Sequence, residues 1–522
     1  MKRTAIINIV GLTDALIGEH TPRIRDFAAR GDQASIEPAF PAVTCTAQST
    51  YLTGTTPHAH GIVGNGWYHR ELAEVQFWKQ SNHLVHGKKL WEELRERDPK
   101  FTCAKLFWWY NMYSTADYSI TPRPMYPADG RKVFDIYTHP GNIRVDIQRA
   151  LDPFPFPCFW GPAAGVDTPQ GPADAVSRWI AESAKWIERE HHPTLSLIYL
   201  PHLDYNLQRH GPYRQSSAGV PPADQNQRTS NAGLSNTGQS VSENATKSPP
   251  LPQGEGRGEG ERGANQSSPL NPAIHRDLRE IDSIVGGLID FFQKQMVQVV
   301  LLSEYGITNV NHPIHLNRLF RNAGWLTIKD ELGREILDCG ASKVFAVADH
   351  QVAHIYLNDP FIESEVRSLL EKTTGITAIL GSAEKHDRGI DHPHAGDLIA
   401  IADENSWFTY YYWMNDDVAP DFARTVDIHR KPGYDPAELF LDPKIPNPKL
   451  KIAWRLLQKK LGFRMLMDVI PLDATLVKGS HGARPKNTRD WPVLITEKNT
   501  LPPNTQLHAT DVYHILKRSI LD

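Results

Sequence analysis

Three short runs of this chain are almost continuously apolar and rich in β-branched residues: residues 5–10, Leu195–Leu200 (LSLIYL) and Gln298–Leu302 (QVVLL). That texture predicts strands buried on both faces. Stretches with helical spacing precede the two later runs, at residues 173–188 and 275–293. In the second, Leu278, Ile281, Ile284, Val285, Leu288 and Ile289 fall on one side. Strand and helix in alternation predict an α/β fold with a mostly parallel central sheet covered by helices on both faces. In such sheets the site lies beyond the carboxyl ends of the strands. Residues 11–13, 201–204 and 303–306 are therefore the places to search.

Elsewhere the pattern changes. Residues 213–270 are rich in Ser, Gly, Pro, Asn and Gln and hold few large apolar residues. Such a segment cannot offset the entropy of ordering and is read as a disordered insertion in a surface loop. Short strand-like pieces with charged and aromatic turns follow over residues 341–436, which predicts an inserted α+β subdomain. The core is then expected in three parts, residues 1–212, 271–340 and 437–522. Residues 450–463 (LKIAWRLLQKKLGF) predict a basic amphipathic helix with a packed apolar face and a solvated charged face.

Composition narrows the class. Hydrophobic content of 40 % and charge of 22 % are ordinary for a globular chain. A net charge of −4 points to neither nucleic acid nor anionic membrane as a partner. Four scattered cysteines suggest no disulfide framework and fit a reducing, cytoplasmic setting. Lys2 and Arg3 precede an apolar run too short for a signal peptide, and nothing approaches the roughly 20 apolar residues of a membrane span.

The densest candidate chemistry is FPAVTCTAQSTYLTGTTPHAHGI, residues 40–62. Thr44 stands where an extended lead-in gives way to a helix, near unpaired backbone N–H groups that attract anions. A threonine there suits attack on phosphate or sulfate; equally, Thr44 or Thr46 serves as a helix cap. Asp204, Glu304 and His481 follow in strand-end or loop positions. Carboxylates and imidazoles are natural ligands of zinc and similar divalent ions. Separately, Asp204 suits a turn cap, Glu304 an arginine partner and His481 a surface loop. The aromatic runs FWWYNMYS (residues 107–114) and WFTYYYW (residues 407–413) suit a pocket or the core, the latter preferentially core. Three polar stretches offer further anion or metal groups. Residues 107–131 carry Tyr110, Asn111, Asp117, Arg123, Asp129 and Arg131; residues 421–436 carry Arg424, His429, Arg430 and Lys431; DHPHAG carries His392 and His394.

Taken together, the threonine segment, Asn65 in GIVGNGWY, Asp204, Glu304-Tyr305-Gly306 and His481 in KGSHGARP resemble the alkaline phosphatase superfamily, specifically the type I phosphodiesterase/nucleotide pyrophosphatase family. The resemblance implies an alkaline-phosphatase-like fold and hydrolysis of a small anionic phosphodiester, phosphate ester or phosphonate. It implies Thr44 as nucleophile, Asn65 on a phosphoryl oxygen, and a divalent metal, zinc first among candidates, at one or two sites held by Asp204, Glu304 and His481. Val10, Gln208 and Tyr305 stand where the family carries an aspartate and two histidines. Other histidines (His202, His210, His350, His354) are alternative ligands. Cys45 replaces the aromatic residue that often follows the nucleophile in nucleotide-cleaving members. The alternative function is a non-catalytic member that binds an anionic metabolite or a protein partner.

Overall fold

Thr4–Ile9 (β1) is wholly buried and pairs in parallel on both sides, with Leu195–Leu200 (Thr4 opposite Leu195) and Gln298–Leu302 (Thr4 opposite Gln298). The apolar runs therefore become the centre of the molecule. The structure, a computed structural model, describes residues 1–129, 131–214, 269–497, 500–501 and 505–522. The expected disordered insertion lies outside the described residues apart from its ends.

In chain order the central sheet consists of β1, Asp32–Glu37 (β2), Cys103–Leu106 (β3), Tyr118–Pro122 (β4), Ile136–His139 (β5), Leu195–Leu200 (β6) and Gln298–Leu302 (β7). A second, antiparallel sheet contains Val344–Asp349 (β8), Val352–Leu357 (β9), Ile376–Leu380 (β10) and Leu398–Ala402 (β11). Val493–Thr496 (β12) and Gln506–His508 (β13) return to the first sheet. Its order is β13-β2-β12-β7-β1-β6-β3-β4-β5, with β7 to β4 all parallel. The α/β, mostly parallel fold is thus as expected. The second sheet lies within the segment read as α+β, and residues 1–213 and 270–522 form one compact unit.

The main helices are Thr44–Thr53 (α1), Ala175–His191 (α2), His202–His210 (α3), His275–Lys294 (α4) and Pro448–Lys460 (α5). Leu278, Ile281, Val285 and Leu288 of α4 are fully buried, as their spacing requires. Gly54 ends α1 in the left-handed region at φ 67°, with the ring of Tyr513 packed against it. WFTYYYW is core: Trp407, Tyr410, Tyr411, Tyr412 and Trp413 are all buried. The helix α5 departs from expectation, since none of its residues is buried. Its apolar side meets no partner surface among the described residues, which periodicity along one helix cannot foresee.

Candidate active site

Thr44 is the first helical residue of α1, and the extended Val43 occupies the cap position without a side-chain cap bond. The Thr44 hydroxyl is therefore free of capping duty. It lies 3.1 Å from the phenol oxygen of Tyr305, while Thr46 Oγ1 donates to the Ile62 carbonyl at 3.2 Å. Asn65 is locked beside it. Its Oδ1 accepts from the Cys45 N–H at 3.1 Å, its Nδ2 donates to Asp349 Oδ1 at 3.0 Å, and its backbone N–H donates to Asp349 Oδ2 at 2.7 Å.

Asp204, in the first turn of α3, accepts from Tyr305 Oη at 3.3 Å and from Gln208 Nε2 at 2.8 Å. Gln208 Oε1 in turn accepts from Tyr434 Oη at 3.0 Å. Rings close the same circuit. Tyr305 stacks on His481, His481 meets His350 at a tilt of 36° and His350 stacks on Tyr434, at centroid separations of 3.6, 3.6 and 3.7 Å. His481 Nδ1 is 2.8 Å from the Ala42 carbonyl. A carbonyl only accepts, so Nδ1 carries the proton and Nε2 faces Asp204 Oδ1 at 4.0 Å. Thr44, Asp204, Tyr305, His350, Tyr434 and His481 line a cavity of about 50 Å³ whose other walls include Trp78, Trp109 and Trp160. Among the described residues no lysine or arginine lines it.

Glu304 follows β7 but turns toward β1 and α1. Its Oε1 accepts from Asn8 Nδ2 and, at 2.6 Å, from Gln48 Nε2, while Oε2 is buried without a hydrogen bond among the described residues. The next residue but one must be glycine: a Cβ on Gly306 would lie 1.8 Å from the Asp490 carbonyl oxygen. Burial dominates the electrostatics. It pushes the carboxyls of Asp204 and Asp349 up to about 7 and that of Glu304 to about 8, and drives His481 down to about 3.

The structure thus brings together four of the five expected residues, Thr44, Asn65, Asp204 and His481, with Glu304 on the neighbouring side of Thr44. It does not gather Asp204, Glu304 and His481 around one point. Among the described residues the cluster whose ligand atoms lie within 4.8 Å of one another is His202, Asp277 and Glu280, elsewhere on α3 and α4. Val10 offers no ligand atom, the Gln208 amide is bonded at both ends, and the Tyr305 phenol is shared between Thr44 and Asp204. The donor set present does not fit the two-metal site implied by the resemblance.

Other expected groups go elsewhere. His354 bonds the Val63 carbonyl. Asn111 ties two backbone carbonyls, and Asp117 pairs with Arg95. Lys431 is buried between Asp435 and Glu438, each at 2.7 Å, and Arg424 and Arg430 also meet carboxylates. Of the aromatic run at residues 107–114, Trp109 reaches the cavity wall and Trp108 is core. Sequence reasoning missed Asp349 and Tyr434. Asp349 ends the strand-like VFAVAD, so the strand-end rule, applied to that segment too, would have found it.

The sequence profile of the family described as type I phosphodiesterase / nucleotide pyrophosphatase matches residues 4–435. No curated protein matches by sequence. Among solved structures, murine ectonucleotide pyrophosphatase / phosphodiesterase 5 is similar at 11 % identity and a TM-score of 0.52, covering 100 % of this chain and 95 % of that one. Its human counterpart gives 12 % and 0.52 over the same shares. Phosphonoacetate hydrolase from Sinorhizobium meliloti 1021, solved with phosphonoformate, gives 12 % and 0.53 over 99 % and 96 %. These likenesses establish the fold, and the profile spans most of the chain. The chain belongs to the type I phosphodiesterase/nucleotide pyrophosphatase family of the alkaline phosphatase superfamily, a family of hydrolases.

Proposed function

We propose that the protein cleaves a small phosphodiester, phosphate ester or phosphonate by attack of the Thr44 hydroxyl. The observation that carries this reading is the Thr44 side chain, spared from capping, at the head of α1 and on the wall of the cavity. The first-turn N–H groups of α1 and the helix dipole favour an anion beside it. Tyr305 donates to Asp204, so its oxygen accepts from Thr44. The threonine proton then has a path through the phenol to the Asp204 carboxylate as the Thr44 oxygen bonds to phosphorus. The leaving group departs, and water later releases the phosphorylated threonine. Asn65 holds the start of the helix through the Cys45 N–H.

Support for the substrate class comes from relatives. A threonine-to-alanine variant of the murine protein, described as inactive, was solved with AMP, and the Sinorhizobium enzyme with phosphonoformate and phosphonoacetate. In this chain Trp78, Trp109, Trp160 and Tyr434 offer an aromatic wall to a ring-bearing ester group. The family is typically dependent on a divalent metal. Zinc at Asp204, Glu304 and His481 is not part of this reading, because those groups do not converge. Four buried cysteines without a disulfide support the reducing, cytoplasmic setting that belongs to the proposal.

The test is Thr44→Ala on an aryl phosphodiester. Turnover falls by at least about a thousandfold while ligand binding stays within about threefold. Full activity in that variant rejects the mechanism. A second reading, binding without turnover, is favoured by one observation: no cationic side chain lines the cavity among the described residues. It predicts that the wild type binds the ester yet stays inert with added zinc or manganese.

A further inference from the structure

The helix α5 presents its apolar side to solvent. Leu450, Trp454, Leu457 and Leu461 recur at three- and four-residue steps and so share one face. All four are exposed, from 44 % at Leu457 to 69 % at Leu450, and Phe463 just beyond is 66 % exposed. One polar edge is held against the protein: Lys451 and Arg455 lie 2.9 and 3.0 Å from the Asp468 carboxylate. Those ion pairs fix the helix with its apolar stripe outward.

Charge selects the partner. Residues 443–467 contain Lys444, Lys449, Lys451, Arg455, Lys459, Lys460 and Arg464, seven cations, and no Asp or Glu, in a chain whose net charge is −4. Lys444, Lys449, Lys459, Lys460 and Arg464 are exposed and meet no carboxylate among the described residues. A second copy docked stripe to stripe would set two cationic rims against each other. An apolar stripe carrying Trp and Leu, with Lys and Arg beside it, matches the boundary between acyl chains and acidic headgroups.

We propose that α5 is an in-plane anchor for an anionic lipid bilayer. Leu450, Trp454, Leu457, Leu461 and Phe463 enter the headgroup–acyl boundary, and the unpaired cations meet lipid phosphates. No helix among the described residues is long and apolar enough to cross a membrane. The attachment is peripheral and reversible, and it is independent of the Thr44 mechanism.

The full-length protein is sedimented with vesicles of phosphatidylcholine alone or mixed with phosphatidylglycerol. Each free cation near an anionic surface adds about fivefold to partitioning, so the mixed vesicles bind at least about tenfold more protein. Salt near 1 M, with a Debye length of about 3 Å, removes most of that excess. Trp454→Ser with Leu457→Ser, and separately Lys459→Glu with Lys460→Glu, each reduce binding by about tenfold or more. Both pairs are exposed, so their melting midpoints match the wild type. Equal binding to both vesicle types overturns the proposal, as does binding that neither variant weakens. Self-association of the wild type that the serine variant abolishes also overturns it, and reassigns the face to a second copy.

Discussion

Glu304→Gln tests the electrostatic description of the site. Glu304 is buried and accepts from Asn8 and Gln48 on one oxygen, and the other has no hydrogen bond among the described residues. Burial raises its carboxyl from 4.5 to about 8. That difference corresponds to about 5 kcal/mol between the two protonation states, an upper limit because local relaxation reduces it. The sign follows from proton binding. Between about pH 4.5 and 8 the folded chain holds a proton that the unfolded chain has lost, so stability falls as the pH rises. The contribution is fully present below the unfolded value and gone once the pH has passed through about 8. Glutamine keeps the acceptor oxygen and removes the titration. At pH 5 the variant and wild type should agree within about 1 kcal/mol; at pH 9 the variant should be more stable by about 2–5 kcal/mol. Urea titrations of both proteins from pH 5 to 9, with and without a chelator, read the difference directly. A variant less stable than wild type at pH 9 would refute the reasoning, because it would mean that an ionised Glu304 is engaged by a cation.

Two further perturbations address the scaffold. Gly306→Ala drives a methyl group into the Asp490 carbonyl and should cost at least about 3 kcal/mol in chemical denaturation; a loss under about 1 kcal/mol would show that the turn after β7 yields easily. Tyr213 and Leu270 form an antiparallel bridge, so a short linker in place of residues 214–269 should leave the melting midpoint within about 3 °C. Loss of soluble protein on that deletion would show that the insertion contributes to folding.

Much of the fold was legible because it depends on local pattern. Leu195–Leu200 and Gln298–Leu302 are strands with the expected bounds, and β1 differs by one residue at each end from the expected residues 5–10. The order of Thr44, Asn65, Asp204 and His481 was legible for the same reason: each sits beside a recognisable strand end, helix start or turn. The role of Tyr305 was not. By sequence it is only a residue without ligand character; its phenol bridges Thr44 and Asp204, and its ring joins a stack running to Tyr434.

The sequence by itself determined the elements, because apolar spacing decides which residues a strand or helix must bury. It also determined the family, because the threonine segment and the later strand-end groups keep their order. Tertiary structure decided whether Thr44 capped its helix or faced a cavity. That depended on Tyr305, 261 residues away, which stands just past the carboxyl end of β7 with its phenol 3.1 Å from the Thr44 hydroxyl. It decided that Glu304 turns to Asn8 and Gln48 rather than to Asp204 and His481. It also turned the apolar side of α5 to solvent, because Lys451 and Arg455, on another side of that helix, are tied to Asp468 by ion pairs. Which of two amphipathic sides faces the protein is set by the surface available to receive it, and that surface is written in distant parts of the chain.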